Sequence, residues 1–558
     1  MRGHTIAASP RQLLLIVFLA GIGTLGIEMV MPRLLAPFFG TSQPIWAVVI
    51  GSTLLYLAAG YWLGGWLADR GPDPRVLFRL IAWAGLCCGV IPTLARPVLA
   101  AAQQAFLSFA AGNFLAALGG AVLLFAAPVL LLAAVSPFAV RLALHESGQG
   151  VAAAGRVAGR ISALSTLGSI VGTFGTVLLL IPWIGTTRTL YLFAAFLLLV
   201  ALPGVRDWRY WLLAAAVGGL AWLTLAGGGT IRAATCYRCE LLAEAESSYN
   251  YIQVVRQEVR YLDDPLPDVR HSLLLNEGHA LHSIYRLRYR ETGDPLDLLT
   301  DGGPWDYFAV APYFYPQRDP SSIRSMAMLG AAAGTVPMQM LATYGAEMQI
   351  DAVEIDPAIV AMARQHFDLS AGTPAAPNYT MHVADARAWL ARLPAERTYD
   401  IIGVDAYHQP YIPFHLTTVE FFAEVRAHLA PDGVVMVNVA RSPGGDERLV
   451  NALAGTMQQV FPQVFIIDTR GDRPASNAMV VGVARPMGDG VAHFAANAEQ
   501  MTHPSLGLVM YWALHEGAGP VREFVPAPEQ MRPFTDDRAP VEWLIDQMIV
   551  AEAQRLTQ

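Results

Sequence analysis

Long apolar runs separated by short polar loops occupy the first 230 residues of the chain. A membrane-spanning helix needs about 20 predominantly apolar residues. Seven runs approach that length, at residues 12–31, 45–68, 76–99, 113–138, 161–184, 188–204 and 209–229. Small residues recur within the runs and allow helix backbones to approach closely in lipid. The pattern predicts a multi-pass helical membrane domain over residues 1–230, with about seven helices.

The number of passes decides on which side of the membrane the second half of the chain lies. Residues 98–112 are apolar apart from Gln103 and Gln104, and they form either an eighth pass or an interfacial segment. Arginines concentrate at the amino terminus and in alternate loops, which predicts a cytoplasmic amino terminus. Seven passes then place the second half outside the cytoplasm. An eighth pass, or a seventh run that does not span, places it inside.

One carboxylate, that of Glu28, lies close to the end of the first apolar run, with Arg33 nearby. An acidic side chain at membrane depth is costly and often functional. A charge at the end of a helix near the interface needs no such role. The sequence leaves both interpretations of Glu28 open.

From about residue 240 the pattern changes to short strands and turns. Segments 250–256 and 271–275 have the character of short strands, which predicts a small β-rich subdomain at 240–300. Strands and helices then alternate over residues 320–485. The predicted strands are 325–330, 349–355, 379–385, 399–405 and 433–439. This alternation predicts a parallel sheet covered by helices on both faces, a Rossmann-like α/β domain, with residues 486–558 as an extension packed on it.

Three of the predicted strands end in a carboxylate, at Glu354, Asp385 and Asp405. Ligands of open α/β sheets bind beyond the carboxyl ends of the strands. The small-residue loop 330–334 (GAAAG) follows the first strand but lacks the G-x-G-x-x-G motif of a dinucleotide site. We therefore expect a nucleoside without a pyrophosphate. Glu354 would bind ribose hydroxyls or form a strand-end salt bridge, and Asp385 would bind the nucleoside, cap a helix, or do both.

Composition excludes some functions and leaves the cysteines ambiguous. Hydrophobic residues make up 54% of the 558 residues, charged residues 15%, and the net charge is -8. This balance does not favour a nucleic-acid partner. Cys236 and Cys239 form a C-x-x-C pair with no second ligand pair nearby, so no metal site is predicted. A local disulfide and two free thiols both remain possible for this pair.

The motifs of the second half resemble the spermidine synthase family in order and spacing. They are LGAAAGTV from 329, VEIDPAIVAMARQHF from 353, HVADARAWL from 382 and VDAYHQP from 404. ESSYNYIQVV, 246–255, looks like that family's amino-terminal β-subdomain. The first half, with PRLLAPFFGTS at 32–42, resembles the membrane region of bacterial proteins fused to such a domain. The resemblance implies a multi-pass protein of the bacterial inner membrane and a homodimer. A cytoplasmic catalytic domain is expected because adenosyl sulfonium compounds are made in the cytosol, although the loop charges with seven passes predict the opposite side.

The resemblance also implies an activity. The family transfers an aminopropyl group from decarboxylated S-adenosylmethionine to a polyamine such as putrescine and releases methylthioadenosine, without a prosthetic group. Asp405 and Tyr407 would serve catalysis. The implied nucleoside-binding residues are Asn250, Gly330, Glu354, Asp385 and Ala386. The implied polyamine-binding residues are Glu246, Tyr249, Trp305 and Asp306.

The sequence departs from the family pattern at two positions. Ala333 stands where the family has an Asp that contacts the aminopropyl end, and the stretch after Asp405 lacks the family's second carboxylate. Two further functions therefore stay open. One is a methyltransferase or sulfonium-cleaving enzyme that uses S-adenosylmethionine itself. The other is a non-catalytic sensor of nucleosides or polyamines that controls a membrane conduit.

Overall fold

The computed structural model describes residues 10–39, 43–106, 112–147, 154–204, 208–226, 239–247, 249–259, 267–276, 280–368, 377–407, 411–442, 445–471, 477–526 and 532–556. The chain divides into two compact units. The first comprises Met1–Ala233 with Glu246–Ser248, and the second Ala234–Ala245 with Tyr249–Gln558.

The first unit is mainly helical in the part that the structure describes. Its helices are α1 (Pro10–Phe39), α2 (Gln43–Arg70), α3 (Pro74–Phe106), α4 (Gly112–Ala133), α5 (Val135–Ser147), α6 (Ala154–Gly175), α7 (Ile181–Ala201) and α8 (Arg209–Ala226). Among the described residues, 6 helical stretches are long and apolar enough to cross a membrane. Many large apolar side chains on them are exposed, such as Trp62 at 70% and Trp183 at 77%. Outward-facing apolar surface of this kind suits a lipid environment.

The structure adds two details to the predicted spans. The fifth and sixth predicted runs both lie in the helical stretch Ala154–Ala201, which includes a π-helical segment, Thr176–Leu180. Its helix is broken between the two runs at Gly185, where φ is 77° and ψ is 169°. Residues 98–106 are not a separate pass, because α3 continues to Phe106 despite its internal prolines.

The second unit begins with the small β-subdomain that the sequence predicts. Its strands are β1 (Cys239–Glu246), β2 (Tyr251–Val259), β3 (Asp268–Leu275) and β4 (Ala280–Arg286), in the order β1-β2-β3-β4. β2 with β3 and β3 with β4 pair antiparallel. Cys239 is disulfide-bonded, so it is not a free thiol. Cys236 lies outside the described residues.

An eight-stranded sheet forms the centre of this unit. Its strands are β5 (Ser325–Leu329), β6 (Gln349–Glu354), β7 (Tyr379–Val383), β8 (Tyr399–Val404), β9 (Leu429–Ala440), β10 (Val464–Asp468), β11 (Asn477–Val483) and β12 (Arg522–Glu523). The order is β12-β10-β11-β9-β8-β5-β6-β7. The five strands predicted from the sequence are all present and pair in parallel. The antiparallel strands β10 and β11 were not predicted.

Helices and a short 3₁₀ segment cover this sheet. The helices are α9 (Tyr289–Thr292), α10 (Thr335–Tyr344), α11 (Pro357–His366), α12 (Ala386–Leu390), α13 (Val419–Ala427), α14 (Arg448–Met457), α15 (Gly490–Gln500), α16 (Pro504–Tyr511) and α17 (Val541–Leu556). The 3₁₀ segment Pro304–Phe314 is almost entirely buried. Phe314 stacks on Phe465 at 4.3 Å, and α15 and α16 pack on the same segment. The carboxyl-terminal helices therefore pack on the sheet domain.

Strand order reverses at β5, which lies between β8 and β6. The loop after β5 needs glycine at position 330, where φ is +87°. A Cβ on Gly330 would lie 2.6 Å from the Cα of Ala406 and 2.6 Å from the carbonyl oxygen of Asp405. The backbone N–H groups of Gly330 and Ala331 both donate to the Val353 carbonyl. The ends of three strands thus meet at this loop.

We predict that Gly330→Ala destabilises the second unit more than Gly345→Ala does. Both glycines have positive φ, so either alanine costs about 1–3 kcal/mol in backbone strain. Only the Cβ at position 330 also collides with backbone, because nothing lies within 4 Å of a Cβ at position 345. Thermal unfolding of the purified full chain in detergent measures the difference. Equal midpoints for the two variants would contradict this account of the loop.

Candidate active site

A cavity of about 440 Å³ lies at the carboxyl ends of the sheet strands in the second unit. Its walls come from β4, the segment around Trp305, the glycine loop, and the residues that follow β8 and β9. Four residues predicted from the sequence line it, namely Trp305, Gly330, Asp405 and Tyr407. The cavity is large enough for part of a small organic ligand.

Asp405 follows the last residue of β8, and two side chains hold its carboxylate in place. The indole Nε1–H of Trp305 donates to Oδ2 at 2.9 Å, and the Asn438 amide donates to Oδ1 at 2.8 Å. Burial raises the pKa of Asp405 to about 6, while these two hydrogen bonds oppose the shift. The carboxylate is therefore mostly ionised at neutral pH. Its pKa is close enough to 7 for the group to accept and release a proton.

A chain of hydrogen bonds continues from Asp405 into the sheet. Asn438 accepts a hydrogen bond from Asn477 at 2.7 Å through its side-chain oxygen. The Tyr407 hydroxyl donates to the Asn438 carbonyl and accepts from the Ala440 N–H. Burial, followed by the charge of Asp405, raises the pKa of Tyr407, so this phenol stays neutral. Tyr407 thereby fixes the loop after β8 to the end of β9.

Glu354, at the end of β6, holds the glycine loop from its other side. Its carboxylate accepts hydrogen bonds from the N–H of Ala332 and the N–H of Asp356, both at 3.0 Å. Burial raises the pKa of Glu354 to about 7, against the lowering effect of these donors. Ala332 lines the cavity and Glu354 does not. Glu354 therefore touches the cavity wall only through its hydrogen bond to Ala332.

Asn250 lies beside this carboxylate cluster. Its amide donates to Asp356 at 3.0 Å, and its side-chain oxygen accepts from Asn276 at 3.0 Å. Asp356 is fully buried and caps α11 through the Ala358 N–H. The small β-subdomain thus brings Asn250 to the carboxyl end of β6, where the sequence predicts a nucleoside.

Asp385 lies beyond the end of β7 and does cap a helix. Its Oδ1 accepts from the Ala388 N–H at 2.9 Å, and its Oδ2 lies 3.2 Å from the Nε2 of His415. Ala386, the next residue, is buried. Two apolar side chains nearby are unusually exposed, Ile355 at 38% and Val383 at 51%. Carboxylates and exposed apolar groups together suit the polar edge and the flat face of a nucleobase.

Three of the predicted polyamine-binding residues do not line this cavity. Asp306 is buried because the 3₁₀ segment turns it inward, where its carboxylate accepts from Thr300, Gly302 and Gln339. Glu246 belongs to the first unit, in which its carboxylate accepts from the N–H and the hydroxyl of Thr186. Tyr249 is 46% exposed and is not part of the cavity wall.

Sequence reasoning missed several residues of the cavity. Asn438 is a polar side chain within the apolar strand β9, at the level of Asp405. A single polar residue in an otherwise apolar strand could have indicated a residue of the site. Ser283 accepts a hydrogen bond from the Ala333 N–H at 2.9 Å. Arg441 also lines the cavity and forms ion pairs with Glu447 at 2.9 Å and Asp468 at 3.3 Å. Nothing in the local sequence around Arg441 indicated a contact with Asp468.

Comparison with known proteins identifies the domain that carries this cavity. Residues 324–469 match the family model "Spermine/spermidine synthase domain". A probable polyamine aminopropyl transferase of Bifidobacterium longum is 30% identical over 329 residues, which are 57% of this chain and 66% of that protein. A polyamine aminopropyltransferase of Vibrio vulnificus is 30% identical over 139 residues, 25% of this chain and 44% of that protein.

The chain thus covers less than two thirds of either relative's length. Among solved structures, a probable spermidine synthase from Corynebacterium glutamicum aligns at 20% identity and a TM-score of 0.36, over 52% of this chain and 99% of that one. The matched residues begin just before β5 and end just after β10, and so they contain the glycine loop, Glu354, Asp385 and Asp405. Residues 324–469 of the chain are therefore a spermine/spermidine synthase domain.

Proposed function

We propose that this protein is an aminopropyltransferase that moves an aminopropyl group from decarboxylated S-adenosylmethionine to an amine such as putrescine. The observation that carries the proposal is Asp405, a carboxylate with a pKa of about 6 in a cavity beside the glycine loop. The names of the two relatives point to the same transfer.

The proposed reaction is a displacement at the carbon next to the sulfonium sulfur. A primary amine with a pKa of about 10 is mostly protonated at neutral pH and cannot attack in that form. Asp405 accepts a proton from the amine, the nitrogen forms a bond to the carbon, and the carbon–sulfur bond breaks. The sulfur leaves as the neutral thioether of methylthioadenosine. Trp305 and Asn438 hold the carboxylate in line with the amine.

The adenosyl part of the donor would lie across the ends of β6 and β7. Glu354 would bind the ribose, exchanging a backbone N–H for a sugar hydroxyl, and Asp385 would bind the adenine amino group. Ile355 and Val383 offer apolar surface to the base. Gly330 and Ala386 allow close approach of the ligand to the backbone, and Asn250 supports the cluster through Asp356.

The acceptor end of the cavity differs from a strongly acidic polyamine site. Asp405 and Arg441 are the carboxylate and the guanidinium among its lining residues. The carboxylates of Asp306 and Glu246 already accept several hydrogen bonds in place, and Trp305 remains the aromatic side chain next to Asp405. This arrangement favours a short amine that presents one nitrogen to Asp405 over a long polycation.

We expect the purified chain to release methylthioadenosine from decarboxylated S-adenosylmethionine only when a diamine is added. Asp405→Asn should lower kcat by about 10²–10⁴-fold, the usual contribution of a positioned base, while nucleoside binding persists. Asp489→Asn, in an exposed helix cap that Asn also supports, is the matched control and should retain activity. Mass spectrometry of the products with a panel of amines measures both. Nucleoside binding without any product would favour the sensor hypothesis instead.

The pH dependence of kcat provides an independent check on Asp405. The carboxylate must be ionised to accept a proton, so kcat should rise with pH through about 6 and then level off. Trp305→Phe removes a hydrogen bond that lowers the pKa of Asp405. The rising limb should therefore shift to higher pH, with activity lost chiefly on the acid side. An unshifted profile in this variant would show that Asp405 does not govern the limb.

Ala333 favours a second candidate, a methyltransferase that uses S-adenosylmethionine itself. The position that carries an Asp in the spermidine synthase pattern here has a fully buried methyl group, and its N–H donates to Ser283. A carboxylate is thus missing where the aminopropyl ammonium would lie. Formation of S-adenosylhomocysteine from S-adenosylmethionine, in the same product assay, would establish this function and exclude the first.

We also propose that the first unit embeds the protein in a membrane. The support is the set of 6 long apolar helical stretches and their exposed aromatic side chains. Alkaline carbonate washing of bacterial membranes should leave the chain in the pellet, because spanning helices are effectively irreversible anchors. Release into the wash would contradict the proposal. The inner-membrane location, the side on which the catalytic domain lies, and the homodimer stay predictions.

A further inference from the structure

The helices of the first unit differ in direction, and close contacts show which of them run alongside α1. A Cβ on Gly168 of α6 would meet the carbonyl oxygen of Phe18 in α1. One turn further along both helices, a Cβ on Gly172 would meet the carbonyl oxygen of Ile22. Because the contacts advance together along the two sequences, α6 runs parallel to α1.

Helix α7 runs against α1. A Cβ on Gly23 of α1 would meet Leu197 of α7, and further along α1 a Cβ on Gly26 would meet Phe193. The contacts thus advance along α1 while they go back along α7. The chain therefore reverses direction between α6 and α7, and the break at Gly185 allows this reversal. The two helices count as two separate crossings of the unit.

Contacts of the same kind give the directions of the other long helices. They are Gly23 with Leu132 and Gly120 with Leu35 between α1 and α4, Gly60 with Leu130 and Gly64 with Ala134 between α2 and the end of α4, Gly85 with Leu198 and Thr93 with Tyr191 between α3 and α7, and Gly89 with Val217 and Thr93 with Thr224 between α3 and α8. Helix α4 is thus antiparallel to α1, α2 is parallel to α4, α3 is antiparallel to α7, and α8 is parallel to α3.

These directions alternate along the chain. Helices α1, α3, α6 and α8 run one way, and α2, α4 and α7 run the other, so the described helices make seven crossings. Helix α5, with 13 residues, is too short to add one. Residues 227–238, after α8, are also fewer than the about 20 that a crossing needs. An odd number of crossings brings the chain out on the side opposite to the one where α1 begins.

The arginines identify the two sides of the first unit. Among the described residues, the end where α1 begins carries Arg11, Arg70, Arg75, Arg79, Arg141, Arg156, Arg160 and Arg209. The opposite end carries Arg33, Arg96 and Arg188. Basic residues concentrate in the cytoplasmic loops of membrane proteins. The end where α1 begins is therefore the cytoplasmic one, and the chain leaves the first unit on the other side.

The cysteines indicate the same side independently of the charges. Cys239, which follows the last crossing, is disulfide-bonded, whereas Cys87 and Cys88 of α3 are free. Disulfides persist in oxidising compartments such as the bacterial periplasm and are rare in the cytosol. A disulfide at the start of the second unit therefore agrees with a location outside the cytoplasm.

We propose that the second unit lies outside the cytoplasm and that the cavity beside Asp405 takes its substrates from that side. The side rests on the membrane embedding proposed above, and the statement about substrates rests also on the proposed transferase function. Adenosyl sulfonium compounds are made in the cytosol. The step that must supply the donor is therefore its transport across the membrane, and the acceptor is an amine present outside the cytoplasm. This assignment replaces the expectation of a cytoplasmic catalytic domain.

Thiol labelling of the full chain in spheroplasts tests the side of the second unit. Glu499→Cys places a thiol at an exposed position of α15. Gly71→Cys, the matched control, places one between α2 and α3, where nothing lies within 4 Å of a Cβ. A membrane-impermeant maleimide should label the first variant in intact spheroplasts and the second only after lysis, with the parent chain as the background. Labelling of the first variant only after lysis, or of the second before it, would overturn the proposal.

The oxidation state of the cysteines provides a second measurement. After acid quenching of whole cells and denaturation, a maleimide polymer should add two labels to the parent chain, at Cys87 and Cys88, and four after reduction. Cys239→Ser leaves three cysteines, none of them paired, and should take three labels without reduction. Four labels on the parent chain before reduction would contradict the proposal, because a reducing compartment gives that result.

Sealed right-side-out vesicles separate this inference from the transferase proposal. Decarboxylated S-adenosylmethionine and putrescine added outside should yield methylthioadenosine at the rate seen once detergent has opened the vesicles. Product that forms only after opening would refute the orientation and leave the transferase standing. No product in either condition, with the Glu499→Cys thiol labelled in intact spheroplasts, would refute the transferase and leave the orientation standing.

Discussion

The contact between the ends of β5 and β8 is the constraint on which the candidate active site depends. Parallel pairing brings Leu329 beside Val404, and the Asp405 N–H donates to the Leu329 carbonyl. Gly330 then passes so close to Ala406 that a single methyl group would not fit. This close approach sets the glycine loop and the carboxylate of Asp405 side by side. In the proposed reaction, a donor bound at the loop and an acceptor deprotonated by Asp405 would lie within reach of each other.

Around that contact, the buried carboxylates of Glu354 and Asp306 are hydrogen-bonded within the protein, and the carboxylate of Asp405 is directed at the cavity. Glu354 and Asp306 both accept several hydrogen bonds from nearby backbone and side-chain groups, which offset the cost of their burial. Asp405 instead takes its two hydrogen bonds from side chains that also line the cavity. Glu354 and Asp306 thus stabilise loops, and the proposed proton transfer belongs to a different acid, Asp405.

The two units differ in how a deeply buried carboxylate is balanced. In the second unit, the buried carboxylate of Asp468 forms ion pairs with Arg441 and Arg522. In the helical unit, Glu28 is only 9% exposed and lies next to Thr53, a hydroxyl rather than a cation. Burial of a carboxylate is costly in either setting, and ion pairs offset that cost at Asp468.

Hydropathy and strand-helix alternation determined the two-part architecture, the five parallel strands and the three strand-end acids, because these features repeat with local periods. They also indicated Asp405 and the glycine loop. Tertiary structure decided the rest. Whether Asp306 faced a ligand or its own loop, whether Asn438 touched Asp405, and how deeply Glu28 was buried depend on contacts between residues far apart in sequence. No local pattern records such contacts, since each is set by the packing of whole strands and helices.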